Sequence, residues 1–169
     1  MMKILQSLFG IRHSADLKLM LVRAESKARE LSLNYVGVEH VFFSILGLDE
    51  SHRVRIILGF LPVDLPVFWS ELEKQSKNIT GKPVPKFMPY TPRLQAVLRM
   101  SEKWAKLGCS PEVTPLHFVA SVANEGNSIV AVVFRDLLQR KGITQSEEQK
   151  AAVYLTTLMT SSASKIFNS

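Results

Sequence analysis

Asn34-Tyr35-Val36-Gly37-Val38-Glu39-His40, with the apolar run Val41-Phe42-Phe43-Ser44-Ile45-Leu46 behind it, decides the reading of this chain. A weaker copy stands 77 residues later, at Val113-Thr114-Pro115-Leu116-His117-Phe118-Val119-Ala120-Ser121. Laying residues 14–44 over 91–121 without gaps pairs Leu17 with Leu94, Leu21 with Leu98, Glu25 with Glu102 and Ala28 with Ala105. It also pairs Val36 with Val113, His40 with His117 and Ser44 with Ser121. Seven identities in 31 positions exceed the roughly two that chance composition gives, so one helical unit is used twice.

Working outward, Ser14 is placed to cap a helix whose apolar stripe is Leu17, Met20, Leu21, Ala24, Ala28 and Leu31. Asn34–Gly37 reads as a turn. The next helix is apolar nearly all round from Val41 to Leu48, the pattern of a buried central helix. A third helix carries Val54, Ile57, Leu58 and Leu61 and stops at Pro62; Asp64 and Pro66 open a fourth with Phe68, Trp69, Leu72 and Ile79 inward. Residues 80–90 hold three prolines and read as an extended linker. Thr91-Pro92 and Thr114-Pro115 then start the fifth and sixth helices with cap chemistry. Ile129, Val130, Val133, Phe134 and Leu137 line a seventh, ended at Gly142. Thr144-Gln145-Ser146-Glu147 is a capping box for an eighth, through about Met159, ahead of a frayed tail over 161–169. No segment keeps a strand period. The expected fold is all-α, four helices twice, in one domain: repeat one at about 12–79, the linker at 80–90, repeat two at about 91–160.

Composition narrows function. No apolar run approaches the ~18 residues that span a bilayer, and the start lacks a signal-peptide cleavage site, so no membrane partner is expected. Cys109 is the only cysteine, which rules out an internal disulfide and fits a reducing compartment. The net charge of +6 invites a nucleic-acid reading. Its cations are scattered, though, with the densest group (Lys74, Lys77, Lys82, Lys86, Arg93) around the linker and no basic stripe interleaved with aromatics. An acidic protein partner suits that surface better.

Catalytic and metal chemistry find little support. His40/Ser44 and His117/Ser121 share helix faces, but no orienting acid or nucleophile elbow accompanies them, and duplicated packing explains both pairs. The four histidines show no metal-ligand spacing. Thr114-Pro115-Leu116-His117 matches the ankyrin signature, yet nothing recurs at that repeat's period of ~33 residues. Glu39 suits the first turn of its helix, where a carboxylate complements the dipole, and His40 suits a hydrogen bond near the turn. Trp69 and Trp104 read as core, Cys109 as a small packing residue, and Phe87-Met88 as an exposed apolar contact.

Ala24, Ala28 and Leu31 followed by Asn34–His40 resemble the Clp amino-terminal (Clp-N) repeat, and Tyr90-Thr91-Pro92-Arg93 resembles the start of its second copy. The resemblance covers about residues 12–145 and is closest to ClpC-type N-domains. It implies a pseudo-twofold bundle of eight helices that binds substrates or adaptors in front of an AAA+ ring, with no catalysis of its own. No Walker A motif is present in this sequence. In ClpC-like members the Glu of each Thr-Glu-His belongs to paired surface sites that receive phosphorylated arginine. Glu39 matches the first; Val38 replaces its Thr, and Leu116 replaces the second Glu. A carboxylate pairs with a guanidinium through two charge-assisted bonds and leucine offers none, so the second site is expected to be lost.

The expectation is a non-enzymatic protein-binding module without cofactor, metal or small-molecule substrate, an accessory or adaptor of a Clp unfoldase or protease. Its partners are a Clp ring, protease core, adaptor or substrate, and its location the cytoplasm, or the plastid stroma in a photosynthetic organism. The end of the chain favours a free-standing protein of the ClpT kind over the N-domain of a longer Clp ATPase. A basic helical nucleic-acid-binding protein is the alternative of another class. The candidate binding residues are Gly37, Val38, Glu39, Phe87, Met88, Thr114 and Leu116.

Overall fold

Ser14 and Thr91 start the two longest helices among the described residues in the same way. Ser14 Oγ accepts from the Leu17 N–H at 3.2 Å, and Thr91 Oγ1 from the Leu94 N–H at 3.1 Å. The computed structural model describes residues 11–50, 52–59, 63–76 and 84–142. Its helices are α1 (Ala15–Glu30), α2 (Val38–Leu46), α3 (Arg53–Gly59), α4 (Leu65–Ser76), α5 (Pro92–Leu107), α6 (Pro115–Glu125) and α7 (Ile129–Arg140), so the described residues are all-α. The 77-residue shift carries α1 onto α5 end for end and the start of α2 onto the start of α6. The expected eighth helix, the tail, Leu61, Pro62, Ile79, residues 80–83 and the side chain of Ile57 lie outside the described residues. No single helix among the described residues is long and apolar enough to cross a membrane.

The two long helices also end alike. The Leu33 N–H donates to Ala28 O and the Ser110 N–H to Ala105 O, each at 2.9 Å, closing a reversal through a left-handed residue. Those residues are Ser32 (φ 57°) and Cys109 (φ 52°), where glycine is usual. Cys109, expected as a packing residue, is instead exposed. The turn geometry turns its side chain away from the core.

Reciprocal contacts lock the halves together. His13 bridges Val113 and Val36 bridges Tyr90, and the 77-residue shift converts one pair into the other with the partners exchanged. The Ser14 N–H donates to Val113 O (2.9 Å) and the Val113 N–H to Arg12 O (2.8 Å). Their counterparts run from Thr91 N–H to Val36 O (3.0 Å) and from Val36 N–H to Pro89 O (2.9 Å). Such an exchange is the signature of an isologous interface, here within one chain, and describes a pseudo-twofold axis. The stretch 34–37, expected only as a turn, thus also supplies a bridge to the linker.

Burial explains which residues the copies share. Of the fourteen side chains in the seven identical pairs, all but Glu25 are buried. α1 packs on α2 and α5 on α6 as equivalent hairpins, while α4 of the first repeat packs on α7 of the second. Every residue of α2 is buried, as its all-round apolar pattern predicts. Phe68 on α4 lies 5.6 Å from Phe42 and 6.3 Å from Phe134, joining the halves through aromatic contacts. Trp69 and Trp104 pack against this core, partly buried.

The linker is less independent than its prolines suggest. Arg29 of α1 donates from Nη1 to Pro85 O (2.9 Å) and from Nη2 to Lys86 O (2.7 Å), and Nη2 also meets Glu25 Oε1 at 2.8 Å. Residues 84–90 are therefore docked on the first repeat. The segment bends at Lys86 and Phe87, which sends neighbouring side chains different ways. Phe87 is 64% exposed, whereas Met88, expected to be exposed with it, is buried at 6% and joins the core. Arg29→Ala is expected to cost about 1–2 kcal/mol and to speed amide exchange at Val36 and Thr91. Unchanged exchange at both would show that the bridge holds the segment unaided.

Candidate functional site

The first turn of α2 combines a backbone without Cβ, a buried carboxylate and a neutral histidine. Gly37, at the N-cap, is extended (φ −105°, ψ 177°), and its N–H donates to His40 Nδ1 at 2.8 Å. Accepting that bond requires an unprotonated Nδ1, which places the ring proton on Nε2. The imidazole is fully buried, and burial followed by the Lys27 charge lowers its pKa to about 4. Tyr35 meets the ring edge-on at 6.0 Å between centroids. Ser44 Oγ donates to His40 O at 3.2 Å, one turn on. His40 and Ser44 are thus a cap and a packing pair, not base and nucleophile.

Glu39 folds back over the helix start. A Cβ added at Gly37 would meet Glu39 Oε1, with Cδ and Oε2 at 2.5 Å, so the carboxylate fills the space that only glycine leaves. Its side chain is almost wholly buried, and burial raises its pKa against two opposing influences, a backbone hydrogen bond and the Arg93 charge. Glu39 Oε1 lies 3.5 Å from His40 Nδ1, which is no ion pair at neutral pH because the ring is uncharged. Arg93 belongs to the first turn of α5, brought alongside by the Val36–Tyr90 bridge. It is tethered by Nε to Glu125 Oε1 (3.1 Å) and by Nη1 to Asn127 O (2.7 Å) and stays half exposed. Tyr35 completes the cluster; burial first and the Glu39 charge second raise its phenol.

The copy at α6 keeps the cap, loses the carboxylate and replaces the cation with an acid. The Thr114 N–H donates to His117 Nδ1 at 2.9 Å, and Thr114 Oγ1 also lies 2.9 Å from Nδ1. Leu116 stands where Glu39 does and packs partly buried on the core. Asp16 stands where Arg93 does, exposed and 3.4 Å from His52 Nε2. Thr is tolerated at 114 because no carboxylate folds over it. The two ends therefore differ twice: Glu39 with Arg93 at one, Leu116 with Asp16 at the other.

Of the candidate residues, Gly37, Val38 and Glu39 gather at the first end, Thr114 and Leu116 form its counterpart, and Phe87 projects from the docked linker. Val38 points into the core at 1% exposure. Tyr35 and Arg93, which the sequence motifs contain, and Asp16 were not among the candidate binding residues. The repeat alignment held the signal for Arg93 and Asp16, which it pairs 77 residues apart at first-turn positions. Gly37→Ala is expected to cost about 1 kcal/mol, since alanine is a poor N-cap. It should also bring Glu39 back towards the ordinary carboxylate range by expelling it, read by NMR titration. An unmoved Glu39 titration would show that the carboxylate does not need the glycine.

Among known proteins, the model of the Clp repeat (R) N-terminal domain matches residues 12–137. The chloroplastic chaperone protein ClpC of Pisum sativum is 25% identical over 118 residues, which are 70% of this chain and 13% of that protein. The chain thus matches only a small part of that relative's length. A chain solved in work on a malarial protein secretion system superposes with a TM-score of 0.67 at 13% identity, covering 87% of this chain and 96% of its own. The N-terminal domain of the caseinolytic-protease-associated chaperone ClpD from Arabidopsis thaliana gives 0.58 at 12%, covering 85% and 93%. Those two structures speak to fold alone. With the family model spanning both copies of the cap-and-bridge unit, the chain belongs to the Clp repeat (R) N-terminal domain family.

Proposed function

We propose that this protein is a non-enzymatic binding module that works with a Clp AAA+ unfoldase or its protease, as accessory, adaptor or substrate-recruiting domain. The observation that carries the reading is the family match across both repeats. A chaperone described as caseinolytic-protease-associated carries the same fold in its N-terminal domain. Protein contact would fall to the Gly37–Glu39 end and to Phe87, the aromatic left exposed on a segment that Arg29 holds in place. Val38 and Met88 would support these surfaces from beneath, and Thr114 and Leu116 would offer a second end whose only acid among the described residues is the exposed Asp16. The compartment would be one that houses a Clp protease, cytoplasm or plastid stroma.

The test is co-purification of the tagged chain with Clp ATPase rings and with Clp protease cores from the same organism. Association with either supports the proposal, and Phe87→Ala combined with Glu39→Gln should weaken it. Association with neither overturns it.

A further inference from the structure

The outer rows of α1 and α5 are equivalent in position but differ in charge at their middle positions. On α1 the row is Leu19, Val22, Ser26 and Arg29, and it ends at the linker carbonyls that Arg29 binds. The same row of α5 reads Ala96, Arg99, Lys103 and Lys106, all exposed. Spacings of three and four residues keep these side chains on one helix face. The single acidic residue of α5, Glu102, is turned inward and buried, so the exposed face of this helix carries no carboxylate.

Nothing among the described residues neutralises the row. Arg29 has Glu25, and Arg140 on α7 has Asp136; Arg99, Lys103 and Lys106 take part in no ion pair. Lys106 eases the burial of Glu102 without an ion-pair contact. Like charges one turn apart repel. Arg99 and Lys103, one turn apart, therefore repel with no carboxylate between them, whereas Lys106 is favoured by the helix end and by Glu102.

We propose that this face of α5 docks an acidic protein segment, an amphipathic helix that sets carboxylates beside apolar side chains. Charge complementarity supplies the first argument: among the described residues Arg99 and Lys103 have no ion-pair partner and Lys106 is balanced only by the buried Glu102, so the row offers cations on successive turns to a partner helix. Leu107 supplies the second. It follows Lys106 directly and is 73% exposed, giving the cationic row an apolar end. A phosphate backbone has no use for that leucine, whereas an acidic amphipathic helix buries it. The row begins one turn beyond Arg93 and does not depend on the Clp assignment.

The full chain is titrated against a fluorescein-labelled helical peptide of glutamate, alanine and leucine, with a lysine-for-glutamate version and a duplex DNA as competing probes. The glutamate peptide should bind at low salt, weaken as salt rises, and lose roughly tenfold or more of its affinity in R99E/K103E/K106E. The milder R99Q/K103Q/K106Q should lose affinity in the same direction with an unchanged circular dichroism spectrum. R23E/K86E/K141E, which makes the same change in net charge elsewhere, should keep it. Unchanged affinity in the α5 variants, equal binding of the lysine peptide, tighter binding of DNA through the same residues, or no binding at low salt would each overturn the proposal. A variant that loses the peptide yet still co-purifies with a Clp component separates this surface from the family role.

Discussion

Phe68→Ala is expected to lower stability by about 3–5 kcal/mol, as truncating a buried aromatic generally does. Phe68 is 2% exposed, and its ring contacts Phe42 of the same repeat and Phe134 of the other. Three losses combine: the transfer free energy of the ring, a cavity between α4 and α7, and two tilted aromatic contacts at about 0.5–1.5 kcal/mol each. A domain of this size commands only about 5–15 kcal/mol in total, so the variant would sit close to unfolding. Urea denaturation at neutral pH reads the loss. Phe87→Ala is the paired control: its ring is exposed, and its removal should change stability by less than about 0.5 kcal/mol. A cost below about 1 kcal/mol for Phe68→Ala would mean that the halves do not depend on this contact. A double-mutant cycle with Phe134→Leu then measures the coupling across the pseudo-twofold.

The fold was legible because the features that build it are local and are also the buried ones. Ser14 and Thr91 announce helix starts by their hydroxyls, and each accepts the expected bond from three residues on. The shared leucines, alanines and valines survive in both copies because the core leaves them little freedom to change. The charged parts of the site were harder to read. Glu39 meets the field of Arg93, and Arg29 meets Pro85 and Lys86, only because the Val36–Tyr90 bridge brings distant segments together. Periodicity within one helix carries no trace of such contacts. Phe87 and Met88 show the same limit: adjacent residues of like character are split between solvent and core by a bend in the segment and by what lies beneath it. The family likeness, in turn, draws attention to Glu39 and Leu116, but the charge inversion at the second end emerges only when Asp16 is placed opposite Arg93.

Acid should destabilise this protein through His40 well before its carboxylates are all protonated. Above pH 6.5 the imidazole is neutral in both folded and unfolded chains, so its contribution to stability is fully present there. Between 6.5 and about 4 the unfolded chain takes up a proton that the folded chain refuses, and stability falls by about 1.4 kcal/mol per pH unit. The loss from this one residue approaches about 3 kcal/mol near pH 4. His13 and His117, both lowered by burial, act in the same direction. Glu39 and Glu102, raised by burial, oppose them, since the folded chain takes up their protons first on acidification. His40→Gln isolates the histidine: glutamine at the third helical position can still accept the Gly37 N–H but does not titrate. Denaturant unfolding at pH 7.5 and 4.5 should therefore show a smaller acid loss in His40→Gln than in the natural chain, the difference being about 2.5 kcal/mol. Equal losses in the two proteins would mean that the ring is protonated within the fold and that the Gly37 cap opens to admit the proton.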